Sequence, residues 1–91
     1  MESSLAMLAF VRAVECNGFS RAAHDLGVTP SAVSKLVTRL EQRLGVRLLQ
    51  RSTRRIAITE SGAAFLDDCR VLLAQAEQTV ERARTRRAEL T

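Results

Sequence analysis

A mainly α-helical domain carrying one small β hairpin is the fold class this sequence predicts, on three observations. Apolar residues recur at three- and four-residue steps in three segments before residue 45. The period shortens to two between residues 48 and 58. A last, uninterrupted helical pattern then runs on toward residue 91.

Each element has its own local signals. Ser4 is placed to cap a first helix in which Met7, Phe10, Val11 and Val14 follow the i, i+3, i+4, i+7 rule, and Asn17-Gly18 ends it. Ser20 is the expected cap of a short second helix, "SRAAHDL", with Ala22, Ala23 and Leu26 turned inward. Gly27 follows where a left-handed residue is wanted. Thr29-Pro30 reads as an N-cap hydroxyl followed by proline at the first helical position, where the missing N–H costs nothing. Along residues 30–44, Val33, Leu36, Val37, Leu40 and Leu44 form one stripe. Ser31, Lys35, Thr38 and Gln42 lie opposite, Ser34 and Arg39 stand on the flanks, and Gly45 closes the helix.

In "VRLLQRSTRRIAIT", Leu48 and Leu49, then Ile56 and Ile58 alternating with Ala57 and Thr59, predict two short strands. The turn between them falls on Ser52, Thr53 and Arg54, with Arg51, Arg54 and Arg55 expected on an exposed tip. From a cap at Thr59, a long helix is expected to about residue 88. Leu66, Cys69, Leu73, Ala76, Val80 and Ala83 step by three and four, a heptad seam of about two and a half repeats. Phe65 and Leu72 lie beside it, toward the domain's own core. Gly62 in the first turn costs up to about 1 kcal/mol against alanine, which points to a tight turn out of the hairpin.

A chain of 91 residues makes one core, burying about 60–65% of its unfolded surface. A helix of nearly thirty residues spans about 45 Å, more than three small helices can cover. The seam is therefore expected to pair with a second copy of the chain. No apolar run approaches the roughly 20 residues of a membrane span, and Glu2 stands where a signal peptide would begin with basic residues. Cys16 and Cys69 form no CxxC pair and fit a reducing, cytoplasmic setting.

The net charge of +4 is unevenly placed. Residues 1–29 carry two basic and three acidic side chains, and residues 59–91 carry five and six. Residues 30–58 carry seven basic and one acidic, a net of +6, so a polyanion is the natural partner.

Two helices joined by a glycine-containing turn, the second polar on its outer face, describe a helix-turn-helix, and the basic hairpin adds a wing. The predicted organisation is a winged helix-turn-helix (three helices plus a two-stranded β wing) over residues 1–58, followed by a long linker helix over residues 59–91. The major groove of B-DNA admits an α-helix, and side chains near its N-terminus reach base edges. Ser31, Ser34 and Lys35 occupy that end, while the N–H groups of Ser31 and Ala32 and the helix dipole favour a phosphate. Wing arginines are suited to a flanking phosphate or a narrow minor groove.

The stretch "GFSRAAHDLGVTPSAVSKLVTRLEQRLGVRLLQRSTRRIAITESG" resembles the N-terminal DNA-binding region of LysR-type transcriptional regulators. The pattern of "FSRAA", "L-V-PSAVSK", "LE--LGV-L--R" and "T--G" carries the likeness, which extends over nearly the whole chain. It implies sequence-specific binding of double-stranded DNA at an approximately dyad-symmetric operator. Thr29, Pro30, Ser31, Ser34 and Lys35 would be base-proximal, and Arg51, Arg54 and Arg55 wing contacts. Thr38 and Arg39 on the helix, with Ser52 and Thr53 in the wing, complete the candidate set. The long helix would form an antiparallel homodimer through Leu66, Cys69, Leu73, Ala76, Val80 and Ala83. Many members have a serine, a glutamine and a proline where this chain has Thr29, Pro30 and Ser31, so base preference does not carry over. Effector sensing in the family belongs to a further domain, expected to lie outside these residues.

Blander readings compete with these. A polar helix face is often only a solvated face, and the alternative function is a helical protein-interaction or dimerisation module with only non-specific nucleic-acid affinity. His24 has no partners at metal-ligand spacing, and no metal or cofactor is expected. Cys16 and Cys69 behave most simply as small hydrophobes. No nucleophile has a nearby base, and neither a glycine-rich phosphate loop nor a plausible carboxylate pair is present, so an enzyme is not expected.

Overall fold

The computed structural model describes residues 2–51 and 55–90. Helix α1 (Glu2–Glu15) leads into α2 (Phe19–Leu26) and α3 (Pro30–Leu44); strands β1 (Leu49–Arg51) and β2 (Ile56–Ile58) follow, and α4 (Glu60–Leu90) closes the order. The strands pair antiparallel, with Leu49 opposite Ile58 and Arg51 opposite Ile56. Residues 52–54 of the expected turn lie outside the described residues.

The apolar stripes meet in one core. Phe10 from α1, Val33 and Val37 from α3, Leu48 and Leu49 entering β1, and Cys69 from α4 are all fully buried. Side chains of this size each contribute about 1.5–3 kcal/mol on burial. Ala22 and Ala23 of α2 are buried against the same cluster, where their small volume lets α2 sit close to its neighbours.

Helix ends follow the local signals in part. Gly27 and Gly45 adopt left-handed backbone at φ 69° and 73°, closing α2 and α3. Thr29 accepts the Ala32 amide at 3.1 Å and caps α3, with Pro30 in its first turn. Thr59 caps α4 by accepting the Gly62 amide at 2.9 Å. Two expected caps are displaced. α1 is already helical at Glu2, so Ser4 lies inside it. α2 begins at Phe19 behind an extended Gly18 that has no side chain to cap with, so Ser20 falls within the first turn.

The long helix also divides its surface differently from expectation. Leu66 and Cys69 are buried in the domain's own core, and Leu73 packs partly against it. Phe65 meets Phe10 with ring centroids 5.8 Å apart. These residues serve α1, so the first three turns of α4 belong to the folded body and Leu66 and Cys69 are not available to a partner. Leu72, by contrast, is exposed, as are Ala76, Val80 and Ala83 farther along.

Both thiols are shifted upward in pKa. Burial, followed by the Asp68 carboxylate, raises the Cys69 thiol above its ordinary value. Partial burial and then the Asp25 carboxylate, which accepts from Cys16 Sγ at 3.5 Å, raise Cys16 likewise. A depleted thiolate is a poor nucleophile.

Gly62 has a steric cause. A Cβ there would collide with the Leu48 carbonyl oxygen and meet Ile58 Cγ1 at 2.9 Å. Gly62→Ala, which in an open helix would stabilise by up to about 1 kcal/mol, is expected to destabilise this chain by about 1–3 kcal/mol. A shift of the denaturant midpoint to lower concentration checks the sign.

Candidate nucleic-acid interface

α3 places its polar side chains on a face set by the burial of the opposite one. Val33, Val37 and Leu40 are inside, which leaves Ser31, Lys35 and Gln42 exposed and Ser34 and Thr38 half-buried. The Ser31 end of α3, the start of α2 and the wing surround a cleft of about 620 Å³. Phe19, Ser20, Arg21, Pro30, Ser31, Ser34, Arg51 and Arg55 line it. Basic and hydroxyl groups from three elements therefore converge at the N-terminal end of α3, where the dipole is positive.

Several sequence-derived placements change. The Ala32 N–H is taken by Thr29 Oγ1 and the Val33 N–H by the Thr29 carbonyl, so Ala32 offers no free amide to a phosphate. Arg39, one turn beyond Lys35, lines a groove with Ala6, Leu36, Leu40 and Gln42, on the flank of the polar face nearer α1. Arg55 is exposed and lines the cleft. Ser52, Thr53 and Arg54 lie outside the described residues.

Arg51 is not on an exposed tip. Its Nη1 donates to Ser34 Oγ at 3.2 Å and to Thr38 Oγ1 at 3.1 Å, and its Nη2 donates to Glu41 Oε1 at 3.3 Å. The guanidinium also lies over the Phe19 ring, 5.1 Å from its centroid, in cation–π geometry. The reason is the strand register: the last residue of β1 faces α3, and the one acidic group of the basic segment waits there.

That group, Glu41, is the residue that sequence reasoning missed. It is buried, and its Oε2 accepts the amides of Leu48 and Leu49 at 2.9 and 3.1 Å. Arg43, two residues on, donates to Ser3 Oγ at 2.6 Å. The available signal was its position. Glu41 continues the i, i+4 row of Val33 and Val37 and is the sole acid among seven basic residues. An acid on a buried face needs internal donors.

No group of three His, Cys, Asp or Glu side chains that could hold a metal occurs among the described residues. Nor is any described helix long and apolar enough to cross a membrane.

A helix-turn-helix with a two-stranded wing and a long following helix is the class that this geometry defines. The sequence profile of the lysR family of bacterial regulatory helix-turn-helix proteins matches residues 5–63, and the chain belongs to that family. An HTH-type transcriptional repressor of Pseudomonas aeruginosa is 45% identical over 78 residues, covering 86% of this chain and 25% of that protein. The regulator CrgA of Neisseria meningitidis is 54% identical over 56 residues, 62% of this chain and 19% of its own. The chain thus spans about a quarter or less of the length of these relatives. Among solved structures, the DNA-binding domain of CbnR in complex with DNA superposes with a TM-score of 0.82 at 34% identity, over 90% of this chain and 94% of that one. The BenM DNA-binding domain on catB site 1 DNA gives a TM-score of 0.84 at 29% identity, over 90% and 91%.

Removing the carboxylate should expose how much it carries. Glu41→Ala leaves the Leu48 and Leu49 amides without an acceptor and is expected to cost about 2–4 kcal/mol. Glu41→Gln, which retains one acceptor oxygen, should cost less. Guanidinium unfolding of the two variants checks the order.

Proposed function

We propose that this chain binds double-stranded DNA sequence-specifically, as the DNA-binding part of a cytoplasmic transcriptional regulator. The observation that carries the reading is the outer face of α3. Ser31 and Lys35 are exposed at its capped N-terminal end, opposite the buried Val33, Val37 and Leu40, within the segment that holds the whole positive excess. In this reading α3 lies in the major groove, with Thr29, Pro30, Ser31, Ser34, Lys35 and Thr38 nearest the bases. Arg54 and Arg55, with Ser52 and Thr53, follow the phosphates or the minor groove. Arg39 meets the backbone from the flank. The DNA-bound relatives CbnR and BenM, similar over nine-tenths of this chain, support it.

A homodimer through the exposed part of α4, around Ala76, Val80 and Ala83, accounts for an otherwise uncovered helix and would present two copies of α3 to a dyad-symmetric operator. Bound near a promoter, such a dimer assists or blocks polymerase by occupancy. Any small-molecule effector acts through a further domain.

Selection of bound duplexes from a random pool at near-physiological salt tests the reading. Enrichment of an inverted repeat supports dimeric readout, and a single half-site removes the dimer. No enrichment, with binding that disappears as salt rises, removes specific readout and leaves a basic interaction module. On the selected duplex, Lys35→Ala is expected to lose about 1–3 kcal/mol and relax the preference at one position. Arg55→Ala should weaken all duplexes alike and lower the salt slope by about one unit.

A further inference from the structure

We propose that Arg51 is a positioning residue for sequence readout: it holds the Ser34 and Thr38 hydroxyls as hydrogen-bond donors toward the DNA, so that these two positions select acceptors. The proposal rests on the DNA-binding reading above. A free serine or threonine hydroxyl pairs with base donors and base acceptors alike, and so carries little sequence information. Arg51 removes that ambiguity. A guanidinium has only donors, so an oxygen bonded to it must be accepting. Nη1 carries two hydrogens, and the structure assigns one to each oxygen, at 3.2 and 3.1 Å. Neither hydroxyl bonds back to a carbonyl of α3 among the described residues. Each therefore keeps its own proton for an outside partner. An oxygen already accepting from a cation is polarised, which strengthens its O–H as a donor and weakens its remaining lone pair.

The guanidinium is itself held on three sides. Glu41 Oε1 accepts from Nη2 at 3.3 Å, the Phe19 ring covers one face, and only about a quarter of the side chain is exposed (25%). A group so enclosed is poorly placed to follow a phosphate. The matching targets in the major groove are acceptors such as guanine O6 and N7 or thymine O4.

The test uses the duplex that the full chain selects from a random pool, its single-base variants, and two salt concentrations. Arg51→Lys retains the charge but cannot place two parallel donors on two oxygens. It is expected to reduce base discrimination by about tenfold at one or two positions, with the salt slope unchanged. Ser34→Ala with Thr38→Val should relax those same positions, and adding Arg51→Lys to that pair should change nothing more. A circular-dichroism melt confirms that each variant is folded. If Arg51→Lys does not fold, the hydroxyl pair alone decides: unchanged discrimination in Ser34→Ala with Thr38→Val overturns the proposal. So does an Arg51→Lys effect that persists undiminished without the hydroxyls, or one that falls equally on all duplexes with a lower salt slope. Failure of the wild-type chain to enrich any sequence is a separate result, since it removes the DNA-binding reading itself.

Discussion

One buried carboxylate joins the two parts of the domain that have no covalent reason to keep a fixed relation. Glu41 sits near the end of α3, and the chain turns away at Gly45 before it returns as β1. The amides of Leu48 and Leu49 would be stranded in an apolar interior without an acceptor, and Glu41 supplies it for both. With those amides bound, Leu48 and Leu49 are fixed in the core, and the next residues project Arg51 back onto α3. The carboxylate is in turn tolerable only because three donors surround it. Helix, strand and arginine thus support one another, and none of the three is arranged this way without the others.

The Leu48 carbonyl continues the same chain of dependence on its other side. It accepts the Thr59 amide at 3.0 Å and stands where any Cβ at position 62 would be. The peptide that begins the wing is therefore held by α3 through its N–H and by the start of α4 through its oxygen. This is why a glycine occupies the first turn of a long helix despite its low helix propensity.

What is readable in the sequence and what is not divides along range. Thr29-Pro30, Gly27 and Gly45 act within a turn of their own positions, and the boundaries of α3 follow from them. The change of period at residue 48 announces the hairpin for the same reason. Arg51 and Glu41 are opposite cases. Both are polar; the row of Val33 and Val37 turns Glu41 inward, but its meeting with Arg51 depends on how β1 returns to α3, which no local spacing encodes. The seam on α4 misleads in another way. A heptad pattern records that a stripe is covered, but not by what. Phe10 and its neighbours cover the first half of it, at Leu66 and Cys69, before any second copy is needed. The charge excess is partly reinterpreted too: Glu41 and Arg51 neutralise each other inside, and the remaining basic side chains of residues 30–58 supply the +6.

The seating of Phe65 on Phe10 has a mechanical consequence. α4 leaves the folded body near Leu73 and continues to Leu90, a free arm of about 25 Å at the usual helical rise. An arm of that length turns a tilt of about 10° at its root into a displacement of about 4 Å at its far end. Small changes in the fit of two aromatic rings are thus magnified along the helix. Whatever the far end carries is aimed, relative to α3, by the stiffness of a contact buried at the opposite end of the lever.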